Sequence, residues 1–415
     1  MSTRRTFRIA VRKFDPFESA IRIQWDTWNV VARSGLTLEI VPMELLALYE
    51  ALFVHQGLRS GDWDVAFIDT DWVAAAHTSR AVLDLVPYIA ENPPEDYPHG
   101  WTPSLLRLHT IDDAVLGFPY HDGPECLIYR KDLFENPTEQ AAYLKQFGVP
   151  LQVPQNWDAF RQAAQFFQRP SQGIYGTVFA AFPDGHNTVY DFLLQLWTRG
   201  GELVDISGKA RFTGSEMAAA LSFYRELLQD GSLAHPLCRS MDSVQAGLAF
   251  AAGEVAMMVN WFGFAALAET MEGSNVKGRV DIAPIPCAAG ASSTSLNIYW
   301  LLTIAAGSPH PRVAYDFLRH CASPAMDKLL TLGGGVGCRR STWTDPQVNA
   351  IAPFFHRLER LHATARELPQ MPAWPRIASI IEELVLRVLE TDASVEQLMR
   401  QADEKADNGI GNPIQ

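Results

Sequence analysis

A chain of 415 residues is longer than one hydrophobic core usually organises, so two domains are expected. With 47% apolar and 20% charged residues the composition is that of a globular protein, and no run of about 18 uncharged apolar residues is present to span a membrane. The net charge of -13, with no Lys/Arg cluster beyond pairs such as Arg339-Arg340, argues against a nucleic-acid partner, because phosphate contact needs grouped cations.

The opening residues, MSTRRTFRIAVRKFD, are basic but lack the apolar run of about 7–15 residues and the small-residue cleavage site of a secretory signal. The expected location is periplasmic or cell-surface-anchored if a signal was removed, and cytoplasmic if this N-terminus is native. Residues 6–11 alternate as a strand and run into Lys13-Phe-Asp-Pro-Phe17; Ile21, Trp25, Trp28 and Ala32 then recur at helical spacing over 18–33. A strand over 36–41, an amphipathic helix over 45–58 and an apolar strand ending in Asp69-Thr-Asp-Trp72 complete a βαβαβ start. In such sheets the loops at the carboxyl ends of strands line a ligand crevice, so Lys13–Phe17 and Asp69–Trp72 are expected on one rim.

The stretch VLGFPYHDGPECLIYR, residues 115–130, runs apolar, polar, apolar, as a chain does when it leaves one core and enters another. Beyond it, Asn156 caps a helix carrying Phe160, Ala163, Ala164 and Phe167 on one face. A strand over 175–181 leads to Asp184-Gly-His-Asn-Thr-Val-Tyr190. Thr213 and Glu216 read as a capping box ahead of a helix over 217–229. A strand over 255–259 ends in Asn260-Trp-Phe262, and Asn297-Ile-Tyr-Trp300 enters another over 301–305. Helices follow over 312–321 and 324–332, with Ser323 and Pro324 at N-cap and N1. The chain breaks at 333–337 and at 369–375, and closes with helices over 377–389 and 395–406, the second begun by Ser394 and Gln397.

No G-x-S-x-G or H-E-x-x-H sequence occurs. His356 and His362 flank Glu359, but six helical residues rise about 9 Å, too far for two ligands of one zinc, so the trio reads as a solvated face. The five cysteines, Cys126, Cys238, Cys287, Cys321 and Cys338, lack C-x-x-C spacing and read as small buried side chains. No cofactor and no metal are expected. Asp69 with Asp71, or Asp122 with Glu125, could serve as the acid and base of a glycoside hydrolase, or as acceptors for a hydroxyl-rich ligand. Binding is the preferred reading, since neither pair sits in a catalytic signature. It fits the placing of Trp72, Tyr120, Tyr190, Trp261, Phe262, Tyr299 and Trp300 near strand ends beside Asp, Asn or His: sugar C–H faces stack on rings while hydroxyls need donors and acceptors.

In order along the chain, Trp63-Asp-Val-Ala-Phe-Ile-Asp69, Leu83-Asp-Leu-Val-Pro87, Gly117-Phe-Pro-Tyr120, Leu127-Ile-Tyr-Arg-Lys-Asp-Leu-Phe134, Val153-Pro-Gln-Asn-Trp-Asp158, Leu196-Trp-Thr-Arg-Gly-Gly201, Phe250-Ala-Ala-Gly-Glu-Val-Ala-Met257 and Pro284-Ile-Pro286 resemble the carbohydrate-type, maltose-binding-protein-like solute-binding proteins of bacterial ABC importers. The resemblance implies an α/β fold of two doubly wound lobes joined by crossover hinge strands, periplasmic-binding-protein-like of type II, with a ligand cleft between the lobes. It places the N-terminal lobe at 1–118 and 287–338, the C-terminal lobe at 123–282 and 343–415, and the hinge near 119–122, 283–286 and 339–342. Its ligand-facing positions fall on Lys13, Asp15, Thr70, Asp71, Tyr120, His121, Asp122, His186, Asn187, Tyr190, Asn260, Trp261, Phe262, Asn297, Tyr299 and Trp374. The function implied is binding of a small carbohydrate or sugar derivative without catalysis, by a monomer that delivers it to an ABC-importer membrane permease. Asn297-Ile-Tyr299 stands where members often have Gly-Gly-Trp, and this bulk predicts a mono- or disaccharide. The alternatives are a cytosolic ligand-sensing homologue and a glycoside hydrolase.

Overall fold

The longer strands are, in chain order, β1 (Thr6–Arg12), β2 (Thr37–Met43), β3 (Val65–Asp69), β4 (Phe118–His121), β5 (Glu125–Arg130), β6 (Tyr175–Val178), β7 (Val255–Trp261), β8 (Val280–Ala283) and β9 (Trp300–Ile304). They belong to a computed structural model that describes residues 5–229, 231–369 and 373–408. Residues 1–4 of the basic N-terminus and 370–372 of the break expected at 369–375 therefore lie outside the described residues. Among the described residues no helix is long and apolar enough to cross a membrane. Of the five cysteines, none is in a disulfide; four are buried and Cys287 is half-buried.

The chain forms two units, Met1–Pro124 with Asn297–Ala363, and Glu125–Leu296 with Thr364–Gln415. The backbone thus crosses at 124/125, 296/297 and 363/364, some residues beyond the hinge positions expected from sequence. Residues 343–363 group with the first unit because helices Arg340–Trp343 and Pro346–Ile351 pack on helix Pro324–Leu332. Residues 287–296 group with the second: the amides of Cys287 and Ala288 donate to the carbonyls of Gln155 and Thr198, and Ser295–Leu296 pairs in parallel with Ala365–Arg366.

In the first unit the sheet order is β2-β1-β3-β9-β4. The pairs β1–β2 and β1–β3 are parallel, as the βαβαβ reading requires, while β9 runs antiparallel to both β3 and β4. Every residue of β3 is buried, which is why Val-Ala-Phe-Ile-Asp reads as an unbroken apolar run instead of an alternating one. Helix Asp15–Ala32 starts earlier than its apolar spacing predicts: Pro16 is at home in a first turn, and Asp15 and Glu18 face the positive end of the helix dipole. The helix expected over 45–58 is instead divided. A helix over Leu45–Tyr49 passes into a π-turn over Glu50–Val54, and Gln56 at φ 54° ends it ahead of Gly57–Ser60.

In the second unit the order is β8-β5-β7-β6, with β5 antiparallel to β7 and β8 and β6 parallel to β7. Helix Trp157–Phe167 is capped as predicted, Asn156 Oδ1 accepting from the Ala159 amide at 2.9 Å, and it buries Phe160, Ala163, Ala164 and Phe167. It lies so close to β6 that a Cβ on Gly176 would stand 2.0 Å from the Ala164 carbonyl oxygen. Gly176→Ala should therefore cost about 1–3 kcal/mol, the range for overpacking against an unyielding neighbour; a denaturation midpoint unchanged from the wild type would refute this.

Several helix starts differ from expectation. The capping box of Thr213 and Glu216 is not formed: helix Ser215–Leu228 begins after Gly214 at φ 102°, one residue beyond the position from which the Thr213 hydroxyl would cap it. Ser323 and Pro324 do occupy N-cap and N1, but the serine side chain makes no capping bond. The apolar run over 244–250 predicts a helix, and Asp242 and Gln245 form a reciprocal box ahead of helix Ser243–Ala251, a cap that the sequence reading does not name.

Candidate functional site

In the first unit, β1 and β3 are parallel neighbours, so the residues that follow them share an edge of the sheet. Lys13 and Asp15 are exposed there, and Asp71 is half-buried. Lys13 Nζ lies 3.0 Å from Glu44 Oε1, and Arg12 bonds the other oxygen of the same carboxylate. Partial burial works to raise the Glu44 pKa, and these two cations more than offset it, holding the carboxyl below its ordinary range. After β3, Asp69 Oδ1 accepts from the Asp71 amide at 3.3 Å and shapes the turn. Thr70 donates its amide to Tyr299 O and accepts from the Tyr299 amide on Oγ1 at 3.2 Å, clamping the turn to the chain entering β9.

An aromatic cluster backs this edge. Trp300 stands in register with Asp69 and meets Trp72 edge-on, with ring centroids 5.8 Å apart. Tyr49 packs on Trp72 at 5.3 Å, and Phe17 packs on His121 at 4.7 Å. Trp300 and His121 are half-buried.

In the second unit, the turn before helix Asn187–Trp197 is built by Asp184. Its Oδ1 accepts from the amides of His186 (3.0 Å) and Asn187 (3.1 Å), and its Oδ2 from Asn187 Nδ2 (2.8 Å). His186, Tyr190 and Trp261 then form a run of edge-to-face rings, 5.6 Å and 5.9 Å between centroids. Trp261 ends β7 and is held by its amide bonding Asn260 Oδ1 at 2.8 Å, while Asn260 Nδ2 donates to Ser243 O. Glu125 is the register partner of Trp261 and is buried, as is Asp191, which accepts from the Tyr224 hydroxyl at 3.1 Å.

Of the sequence-predicted positions, Lys13, Asp15 and Asp71 are accessible and His121, His186 and Trp261 present part of a surface. Thr70, Tyr120, Asp122, Asn187, Tyr190, Asn260, Phe262, Asn297, Tyr299 and Trp374 are buried. Tyr120 donates to Gln24 Oε1 at 3.0 Å, Asn297 Nδ2 to Ser104 O at 3.0 Å, and the Tyr299 hydroxyl to Leu105 O, so their polar atoms bond inside the first unit. Asn297 and Tyr299 being core residues, they do not carry the argument from bulk to a small ligand. Trp300 was left out of the predicted set, although its place next to Tyr299 at a strand start gave the alternation that turns one ring in and the other out. His362, read as part of a solvated face, is buried against Trp343 and bonded on both ring nitrogens. Among the described residues no group of His, Cys, Asp and Glu is arranged to hold a metal ion.

Two α/β units, each on a mixed sheet of its own and linked by three chain crossings, are the architecture of the type II periplasmic-binding-protein fold. Residues 49–328 match the bacterial extracellular solute-binding protein family, and the chain belongs to it. A probable ABC transporter-binding protein of Deinococcus radiodurans is 25% identical over 353 residues, covering 83% of this chain and 78% of the relative. Among solved structures, maltose-bound MalE3 of T. maritima is similar with a TM-score of 0.83 and 22% identity, covering 97% of this chain and 99% of the other. An Agrobacterium radiobacter ABC-transporter solute-binding protein in complex with ribitol has a TM-score of 0.83 and 24% identity, covering 97% and 98%. One from Agrobacterium vitis with bound D-mannitol has a TM-score of 0.84 and 19% identity, covering 99% and 100%.

Proposed function

We propose that this protein is the solute-binding component of a bacterial ABC importer, that it binds a sugar or polyol reversibly and without catalysis, and that as a monomer it hands the solute to a membrane permease. The observation that supports this most directly is that each unit pairs accessible ring surface with hydrogen-bonding groups: Trp300, backed by the buried Trp72, on the sheet edge that carries Lys13, Asp15 and Asp71 in the first, and His186 and Trp261, bridged by the buried Tyr190, in the second. Rings offer apolar contact to C–H faces and the polar groups match hydroxyls, a mix that suits a polyol better than an anion or a purely apolar ligand. The solved relatives that hold maltose, ribitol and D-mannitol agree with that chemistry. Membership of an extracellular family supports a periplasmic or surface location.

A thermal-shift panel of maltose, ribitol, D-mannitol and D-tagatose tests the reading. A true ligand at 100 times its Kd stabilises the folded state by about 2.7 kcal/mol. Asp71→Ala and Trp261→Ala should each weaken the best binder about tenfold or more without lowering the unliganded Tm. Unchanged affinity in both variants would put the site elsewhere, and turnover of a chromogenic glycoside would replace binding with hydrolysis.

A further inference from the structure

The backbone leaves or re-enters the first unit after Pro124, before Asn297 and after Ala363. Inside that unit the three points are joined by side chains. His362, just before the last exit, has Nε2 2.6 Å from Asp122 Oδ2 and Nδ1 3.0 Å from Ser104 Oγ. Asp122 lies just before the first exit. Asn297, the first residue on re-entry, donates from Nδ2 to the Ser104 carbonyl at 3.0 Å. Ser104, in the short helix Pro103–Arg107, is thus the hub, and the Tyr299 hydroxyl adds a second tie from the re-entering chain to the same helix at Leu105 O.

These four residues are 7% (Ser104), 5% (His362), 3% (Asp122) and 1% (Asn297) exposed, so their bonds are formed away from water, where directional preference is strongest. The imidazole lies flat on Trp343, 5.2 Å between centroids and 12° between planes, which fixes its rotation. One tautomer, assigned from the bonding pattern, satisfies both contacts: Nε2–H donates to the Asp122 carboxylate and the Ser104 hydroxyl donates to Nδ1. From the other side, Asp122 donates its amide to Val336 O at 2.9 Å, and the Val336 amide donates to His121 Nδ1 at 3.0 Å. Asp122 Oδ1 and Asn297 Oδ1 have no hydrogen-bond partner among the described residues.

We propose that Ser104, Asp122, Asn297 and His362 form a positioning network that holds the three chain exits of the first unit as one body, with His362 the positioning residue through which the exits set solute affinity. The affinity half rests on the solute-binding reading; the mechanical half does not. The test is amide hydrogen exchange on the full chain for the wild type, Ser104→Ala and His362→Phe, the phenylalanine keeping a ring against Trp343. Should His362→Phe fail to fold, Ser104→Ala decides alone, because it removes one hydroxyl and leaves the helix and its carbonyl in place. The network predicts exchange roughly fivefold faster or more at all three exits together, including the one at Asp122 that Ser104 does not touch, with β1 and β3 unchanged. Acceleration confined to residues near 104, or spread evenly over the unit, overturns it. Calorimetry, run at a temperature well below the Tm of each variant, with whichever of maltose, ribitol, D-mannitol and D-tagatose binds the wild type should show affinity altered at least threefold; unaltered affinity overturns the affinity half. If none of the four binds the wild type, the solute reading and the affinity half fail together, while the exchange result still decides the network.

Discussion

Arg339→Ala is expected to lower stability by about 3–5 kcal/mol, the range for breaking one side of a buried charged network. The arginine is 1% exposed. Its Nη1 donates to Ala322 O at 2.9 Å and its Nη2 to Glu95 O at 3.0 Å, and the guanidinium lies 4.4 Å from the centroid of the Trp101 ring. Alanine would leave two carbonyls without this donor, open a cavity beneath Trp101 and remove the nearest cation from Asp327. Burial already pushes the Asp327 carboxyl up, against the Cys338 and Arg339 amides and the Arg339 charge. Deleting that charge strengthens the unfavourable side. Arg339→Lys should recover only part of the loss, since one ammonium cannot reach both carbonyls in the planar fork that the guanidinium provides. Urea denaturation measures this, and a change below 1 kcal/mol would show the cation to be dispensable.

The same residue shows where the sequence was legible and where it was not. Residues 92–99, Asn-Pro-Pro-Glu-Asp-Tyr-Pro-His, show three prolines and no periodicity, yet Glu95 and Asp96 bond Arg339, a partner more than 240 residues away that no local pattern announces. The apolar-polar-apolar stretch over 115–130 did mark the first crossing, because a change of core leaves its trace in hydropathy. The crossing at 363/364 left none: the helices over 340–351 are amphipathic on either assignment, and only their packing on Pro324–Leu332 decides the unit. The parallel start of the first sheet followed from βαβ connectivity, but the antiparallel direction of β9 did not, since an apolar run carries no direction. At the site, ring-bearing strand ends were recognisable while their facing was not, and adjacent Tyr299 and Trp300 separate on that ground alone. For His362 a signal did exist: Leu358, Leu361 and His362 stand at i, i+3, i+4 on helix Leu358–Thr364, a buried face that the search for zinc spacing passed over.

The second large effect is a pH dependence of opposite sign in the two units. In the first, burial pushes the His109 pKa down to about 4, against a hydrogen bond with the Gly117 backbone. An unfolded histidine titrates near 6.5, so between pH 6.5 and 4 the unfolded chain takes a proton that the folded unit refuses. The stabilising contribution is complete above pH 6.5 and is lost as the pH falls toward 4. In the second unit, burial raises the Asp191 carboxyl to about 8, with the Tyr224 hydroxyl pulling down and Asp184 pushing up. Glu125 moves the same way, through burial and then the Asp191 charge. For an acid whose folded pKa is raised, the contribution is complete below about pH 4 and is lost as the pH climbs through 8. A one-proton difference changes stability by about 1.4 kcal/mol per pH unit in either direction.

Asp191→Asn keeps an acceptor for Tyr224 and removes the charge, so its advantage over the wild type should be smallest at pH 5 and grow at pH 7 and 9. His109→Gln should instead flatten the loss below pH 6.5 and leave the alkaline limb untouched. Denaturation midpoints at pH 5, 7 and 9 separate the two variants. An Asn variant offset by the same amount at all three values would mean that Asp191 carries its charge in the folded unit throughout, with the buried pair neutralised by a partner instead of a proton.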